Sequence, residues 1–192
     1  MFSRYCVLAY ILLPFGRFVQ PLRIAVTGVP GCGKTSFCSF KKLEKVSVLD
    51  LAKLNDAVTS ENSNDDPVEI DLEKLTESLS ELWKESPSEN LFIDGHLSHN
   101  LPVDSIILFR CRPDVLEKRL RNRNWSEEKI KQNVECELMS VIIDELDKEI
   151  STIEIDTTNK TISETWNEAN EWLNGTRKTR MLHLDWIAEL HS

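Results

Sequence analysis

Leu22-Arg23-Ile24-Ala25-Val26-Thr27 is a short apolar run that leads directly into Gly28-Val29-Pro30-Gly31-Cys32-Gly33-Lys34-Thr35. The order strand, glycine-rich turn and helix start is the context in which such a pattern has a mechanical meaning. Glycines allow consecutive N–H groups to turn inward around an anion, and the helix that starts near Gly33 directs its positive end at the same charge. Gly28, Gly31 and Gly33 are therefore expected to line a nucleoside triphosphate, together with Lys34 and Thr35. The Lys34 ammonium is placed to reach the β- and γ-phosphates of ATP, and the Thr35 hydroxyl to complete a Mg²⁺ shell.

Working outward, the chain reads as alternating strands and helices. The spacing predicts a helix from Lys34 to Leu43 with Phe37, Phe40 and Leu43 facing inward, then a strand over Lys45–Leu49 and a helix start near Asp50. Residues 59–67 are polar and turn-rich, so they read as a mobile surface loop. Asp71 caps a helix from Leu72 to Glu85 whose Leu72, Leu75, Leu79 and Leu82 form a stripe. Leu91-Phe92-Ile93 is a buried strand that ends in Asp94-Gly95-His96-Leu97-Ser98-His99.

An acidic residue at the carboxyl end of a buried strand beside a phosphate loop is the expected Mg²⁺ partner, so Asp94 joins Thr35 as a metal candidate. Gly95 is read as allowing close backbone approach to a ligand. His96 is read as a hydrogen-bonding or water-positioning group, with His99 a weaker candidate. Ser105–Phe109 is the next buried strand, and Arg110 and Arg112 are expected at the ligand-facing rim beyond it.

Pro113 suits the first turn of a helix that carries Arg119, Arg121 and Arg123. Clustered guanidiniums can neutralise charge on a phosphoryl group in transit, which makes Arg119 and Arg123 catalytic candidates and Arg121 and Arg123 nucleotide contacts. A long helix is expected from Ser126 to Glu149, with Glu135 and Glu137 in solvent. Thr152–Asp156 is the last strand, and Thr161 with Glu164 forms a capping box for the helix that follows. Trp166 and Trp172 belong to packing.

Five cysteines without a CxxC pair suggest neither a disulfide framework nor a structural zinc site, which fits a reducing cytoplasm. The net charge of −9 excludes a broadly basic nucleic-acid face but permits a basic protein partner. Residues 1–21 form an apolar extension too short to span a bilayer, expected to be disordered or loosely docked without stable membrane association. Residues 22–176 make one domain, and 177–192 a tail in which Leu184, Trp186, Ile187 and Leu190 can dock. The alternation of elements predicts an α/β three-layer sandwich around a parallel sheet of five strands.

Gly28 to Ser36, Leu91 to His99, Arg110 to Asn133 and Glu154 to Thr161 together resemble the small nucleoside monophosphate kinases. More closely they resemble the archaeal and eukaryotic adenylate kinase isoenzyme 6 group, also known as CINAP. The resemblance implies sheet order 2-3-1-4-5, a monophosphate-binding flap near residues 50–72 and a short lid near 121–131, and it adds Ser36 to the residues that contact ATP. It implies transfer of the γ-phosphoryl of ATP to AMP or other nucleoside monophosphates, ATPase activity, and a link to small ribosomal subunit maturation through ribosomal protein uS11. No arginine stands between Lys45 and Asn100, so no guanidinium clamp for the monophosphate is visible in the flap. Two alternatives stay open: an ATPase assembly factor that switches its hold on uS11 or rRNA, and a kinase of small metabolites.

Overall fold

A computed structural model of the chain describes residues 11–12, 18–60, 68–176 and 184–190. Its central sheet has the strands β1 Arg23–Thr27, β2 Glu44–Ser47, β3 Leu91–Asp94, β4 Ser105–Arg110 and β5 Ser151–Asp156. They lie side by side as β2-β3-β1-β4-β5, all parallel, which is the expected 2-3-1-4-5 order. Parallel neighbours need crossover connections. These include α1 Lys34–Phe40, α2 Val48–Leu54, α3 Leu72–Leu82, α4 Pro113–Arg121, α5 Glu127–Leu138 and α6 Val141–Glu145; α7 Ile162–Leu173 and α8 Trp186–Leu190 follow the last strand.

Side chains alternate across each strand, and this divides the apolar residues between two layers. Ile24, Val26, Phe92, Ile107, Phe109, Ile153 and Ile155 face one layer, where they meet Phe37, Leu116, Leu120, Ile130, Ala169 and Trp172. Ala25, Ile93 and Ile106 face the other, against Leu51, Ala52, Leu75 and Leu79. Phe37 stands edge-on to Phe109 with ring centroids 5.1 Å apart, and Trp166 closes the aromatic group at 5.5 Å from Phe37. The two tryptophans of α7 thus serve packing, as expected.

Several boundaries differ from the sequence reading for local reasons. Helix α1 stops at Phe40, whose ring is 41% exposed, because Lys41 is already extended. The Ser47 hydroxyl accepts from Asp50 N at 3.0 Å, a cap that converts Val48 and Leu49 from strand to helix. Helix α3 ends before Glu85, and Leu82 is 68% exposed. The helix expected over residues 126–149 is broken at Ser140, which is left-handed at φ 56° and separates α5 from α6. Asp71, Ser126 and Thr161 cap their helices as expected, Thr161 with Glu164 in a complete capping box.

In the apolar extension the backbone of Ile11–Leu12 pairs antiparallel with Phe18–Val19; the remainder of residues 1–17 lies outside the described residues. Residues 61–67 of the polar loop also lie outside them, but its stems Val58–Ser60 and Glu69–Ile70 pair as an antiparallel hairpin. The basic stretch 177–180 is likewise outside. Among the described residues no helix is long and apolar enough to cross a membrane.

Candidate nucleotide site

The glycine turn connects the carboxyl end of β1 to α1, and two of its glycines are sterically obligatory. A Cβ on Gly28, at φ +136°, would lie 2.4 Å from the Phe109 carbonyl oxygen; one on Gly31, at φ +97°, would lie 2.6 Å from Leu116 Cδ1. Gly33 occupies the cap position of α1 with no side-chain hydrogen bond to the first turn, so that turn's N–H groups keep their capacity for an anion. Lys34 is buried, and its Nζ donates to Gly28 O at 2.7 Å and Val29 O at 3.0 Å. Burial holds its pKa below the usual 10.5, while the carboxylate of Asp94 acts in the opposite sense. Thr35 and Ser36 are exposed at the head of the helix.

A cavity of about 380 Å³ opens beside this turn. Gly31, Cys32, Gly33 and Ser36 form one wall; Arg119, Asn122 and Arg123 form another; Thr157, Lys160, Ile162 and Thr165 come from the loop and helix after β5. The structure thus brings Arg119 and Arg123 to the phosphate turn, across almost ninety positions of sequence. Arg119 is held there by its bonds to Thr157 O (2.7 Å), Thr158 O (3.2 Å) and Thr157 Oγ1 (3.2 Å). Thr157 Oγ1 also lies 3.0 Å from Cys32 O and 2.9 Å from Arg110 O, so one buried hydroxyl joins the turn, β4 and the arginine. Nothing in the sequence signals this junction, because its partners are brought together from three distant segments.

Other candidates lie apart from the cavity. Arg121 points away, paired with Glu117 at 2.8 Å and with Glu127. Arg112 is bound to Asp114 at 2.6 Å on the first turn of α4. Arg110, expected at the rim, is 2% exposed and lies inside the protein, with Nε 2.6 Å from Glu137 Oε1 and Nη1 2.9 Å from Glu154 Oε1. Glu137, expected in solvent, is equally buried, on the same face of α5 as Ile130, and just beyond the helix Ser140 Oγ accepts from Arg110 Nη2 at 2.9 Å. Burial pushes the Glu137 carboxyl above its usual value, with Arg110 pulling the other way. Gly95 is also explained by packing, since a Cβ there would meet Val48 Cγ2 at 2.5 Å.

Asp94 ends β3 opposite Val26 and Ser47, half-buried. His96 follows it and is exposed, yet the surrounding protein, then the Lys34 ammonium and His99, hold its pKa below the usual 6.5. His99 is buried and touches Thr27 and Glu145. Among the described residues no group of three or more His, Cys, Asp or Glu side chains could hold a metal ion alone. The donor set at the turn, one hydroxyl and one carboxylate, suits Mg²⁺ in the form it takes with phosphate oxygens and water. Thr35 and Asp94 are the residues that would hold it.

The sheet order, the glycine turn and the guanidinium-lined cavity define a P-loop α/β fold of the nucleotide-binding, kinase type. A family profile described as an AAA domain matches residues 24–140. The chain is 36% identical over 167 residues to a protein of Pyrococcus furiosus named "Putative adenylate kinase", covering 85% of this chain and 90% of the relative. Proteins of the same name from Thermococcus kodakarensis (38% over 168 residues, 85% and 92% covered) and Archaeoglobus fulgidus (35% over 175 residues, 87% and 93%) are similarly related. The chain belongs to the family of these archaeal adenylate-kinase-like proteins. Among solved structures it is similar in fold to an uncharacterized protein of Eubacterium ventriosum (TM-score 0.52, 11% identity, 81% of this chain and 99% of that one). A gluconokinase from Sinorhizobium meliloti gives a TM-score of 0.50 at 15% identity, covering 81% of this chain and 93% of that one.

Proposed function

We propose that the protein transfers the γ-phosphoryl group of Mg-ATP to AMP or another nucleoside monophosphate, and hydrolyses ATP when water takes the acceptor's place. The observation that carries this reading is the convergence of the glycine turn, Arg119 and Arg123 on one cavity, with Lys34 anchored in the same turn. The turn amides and Lys34 hold the donor's phosphates; Lys34 already shows the reach, since its ammonium now rests on the carbonyls of Gly28 and Val29. Mg²⁺, where held by Thr35 and Asp94, supplies charge neutralisation at the phosphates. Arg123 offers a guanidinium to the developing charge, and Arg119 does so from a position fixed by Thr157 and Thr158. His96, its pKa held below the usual 6.5, suits orienting the attacking phosphate oxygen of the monophosphate or, in hydrolysis, water.

Hydrolysis is a second activity rather than a side reaction, because the flap between Lys45 and Asn100 carries no arginine to fix a monophosphate. A cycle of ATP and ADP is then available to an assembly role on the small ribosomal subunit in the cytoplasm. The resemblance to the CINAP group and a net charge of −9, suited to a basic protein such as uS11, support that role. ADP formed from ATP plus AMP, measured beside inorganic phosphate release, tests the proposal. Phosphate release with no AMP-dependent ADP would overturn monophosphate transfer, and uS11 affinity indifferent to ATP and ADP would overturn the assembly cycle. Transfer to a non-nucleotide acceptor without any response to AMP would make the protein a metabolite kinase instead.

A further inference from the structure

Thr27 is the last residue of β1, directly before the glycine turn, and its side chain is fully buried. Its Oγ1 donates to the His96 carbonyl oxygen at 3.0 Å and lies 2.8 Å from His99 Nδ1. The other ring nitrogen of His99, Nε2, is 3.0 Å from Glu145 Oε2 at the end of α6 and 3.2 Å from Asn100 Nδ2. His99 itself is 5% exposed, whereas the Glu145 side chain is 47% exposed. A buried imidazole therefore bridges the strand that feeds the phosphate turn to the helix segment that descends from α5. The loop carrying Asp94 and His96 lies between them.

Proton counting fixes the roles. The Thr27 hydroxyl has one hydrogen and gives it to the His96 carbonyl, so its oxygen accepts from His99 Nδ1–H. Nε2 faces both the Glu145 carboxylate, an acceptor at 3.0 Å, and Asn100 Nδ2, a donor at 3.2 Å, and these two contacts hold the far side of the ring. The bond to Thr27 sets where the loop after Asp94 lies, and the bond to Glu145 sets the plane of the ring. Gly95 N reaches Val26 O at a long 3.4 Å and Ser98 N closes on Gly95 O at 3.1 Å, and the Thr27 hydroxyl is the side-chain tether of the His96 carbonyl.

We infer that His99 is a positioning residue for phosphoryl transfer, which acts through Thr27 on the His96 backbone and is oriented by Glu145. It touches neither nucleotide wall of the cavity, and Lys34 and the glycine turn do not depend on it. Loss of the bond therefore slows the chemical step and leaves ATP binding intact. The kinetic part rests on the transfer reading above; the loop's dependence on His99 does not.

Asparagine and glutamine separate the two bonds, because an asparagine side chain at this position brings its amide to the place of Nδ1 and a glutamine side chain brings its amide to that of Nε2. His99→Asn should keep kcat within about threefold of the parent, whereas His99→Gln and Thr27→Val should lower it by about tenfold or more, with the KM for ATP within about twofold, as a displaced reacting group requires. Thr27→Ser, which restores the hydroxyl, should recover the rate. Backbone amide signals of Gly95, His96 and Leu97 in the full chain should move in His99→Gln and Thr27→Val and stay in His99→Asn. Thermal unfolding identifies any variant that fails to fold, and Glu145→Ala, altered at a half-exposed site, then reports on ring orientation through the same signals. Equal losses in the Asn and Gln variants, or loop signals unmoved in Thr27→Val, would overturn the inference. A parent without turnover would overturn the transfer reading alone, since the amide signals still decide the role of His99.

Discussion

The indole Nε1 of Trp186 donates to Glu137 Oε1 at 2.8 Å, and the same carboxylate oxygen accepts from Arg110 Nε at 2.6 Å and Cys111 N at 3.1 Å. The short helix α8 is thereby fastened to the end of α5 and to β4. Arg110 lies 5.7 Å from the centre of the Trp186 ring, and the indole is 1% exposed. One buried carboxylate thus organises a tail, a helix end and a strand end. Trp186→Phe, which removes the N–H together with part of the indole, should cost no less than the usual worth of a hydrogen bond to a charged group, about 1.5–3 kcal/mol. Trp186→Ala should cost about 3–5 kcal/mol by adding a cavity. Urea unfolding of both variants measures the difference.

Arg110 belongs to this network and not to the nucleotide cavity. Arg110→Met leaves the Glu137 and Glu154 carboxylates buried without their cation, and a loss of about 3–5 kcal/mol in unfolding free energy follows. The folded fraction of the variant should bind ATP as the parent does. A selective loss of ATP affinity at full stability would return Arg110 to the ligand rim.

Gly95 is constrained by Val48. Gly95→Ala drives a methyl group to 2.5 Å from Val48 Cγ2 and should destabilise by about 1–3 kcal/mol through overpacking. Adding Val48→Ala removes the neighbouring methyls, so the double variant should be more stable than the sum of the single changes. A double-mutant cycle read by thermal unfolding measures that coupling.

The thiols differ in reach. Cys32, Cys38 and Cys111 are buried, and burial pushes Cys38 up to about 12 and Cys111 up to about 11, while Cys32 is raised well above its usual 9.0. The thiolate is the reactive form, so iodoacetamide at mildly alkaline pH should modify exposed Cys136 before any of these three. Peptide mass spectrometry gives the order of labelling. Early modification of Cys32 would mean that the glycine turn opens readily.

His96 titrates below its usual 6.5 in the folded protein. On the role proposed for its neutral ring, the acid limb of ATP hydrolysis should fall below pH 6.5 and vanish in His96→Asn, whose rate should also be lower. Stability carries the matching sign. The unfolded chain binds the proton first, so this group's contribution is present above 6.5 and is lost as the pH falls through the folded value. Chemical denaturation of parent and variant across that range measures the loss.

The glycine turn, the five strands and their parallel order were legible in the chain because each rests on neighbouring residues: glycine's torsional freedom, apolar runs and capping hydroxyls act within a few positions. The resemblance of the motifs added the order of the sheet. The same locality explains the errors. Val48 and Leu49 look like strand, yet Ser47 caps them into α2; Glu137 looks like a solvated helix residue, yet it shares the buried face of α5 with Ile130 and meets Arg110 there.

What the sequence alone determined is where phosphate would be gripped, since amides lying next to one another along the chain make that grip. Which arginines line the cavity beside the glycine turn was decided by the folded structure: Arg119 and Arg123 reach it, Arg121 turns to Glu117 and Glu127, and Arg110 is enclosed by Glu137 and Glu154. The physical reason is range. A guanidinium takes its role from the carboxylates and carbonyls that packing brings around it, and those partners stand far off in the chain.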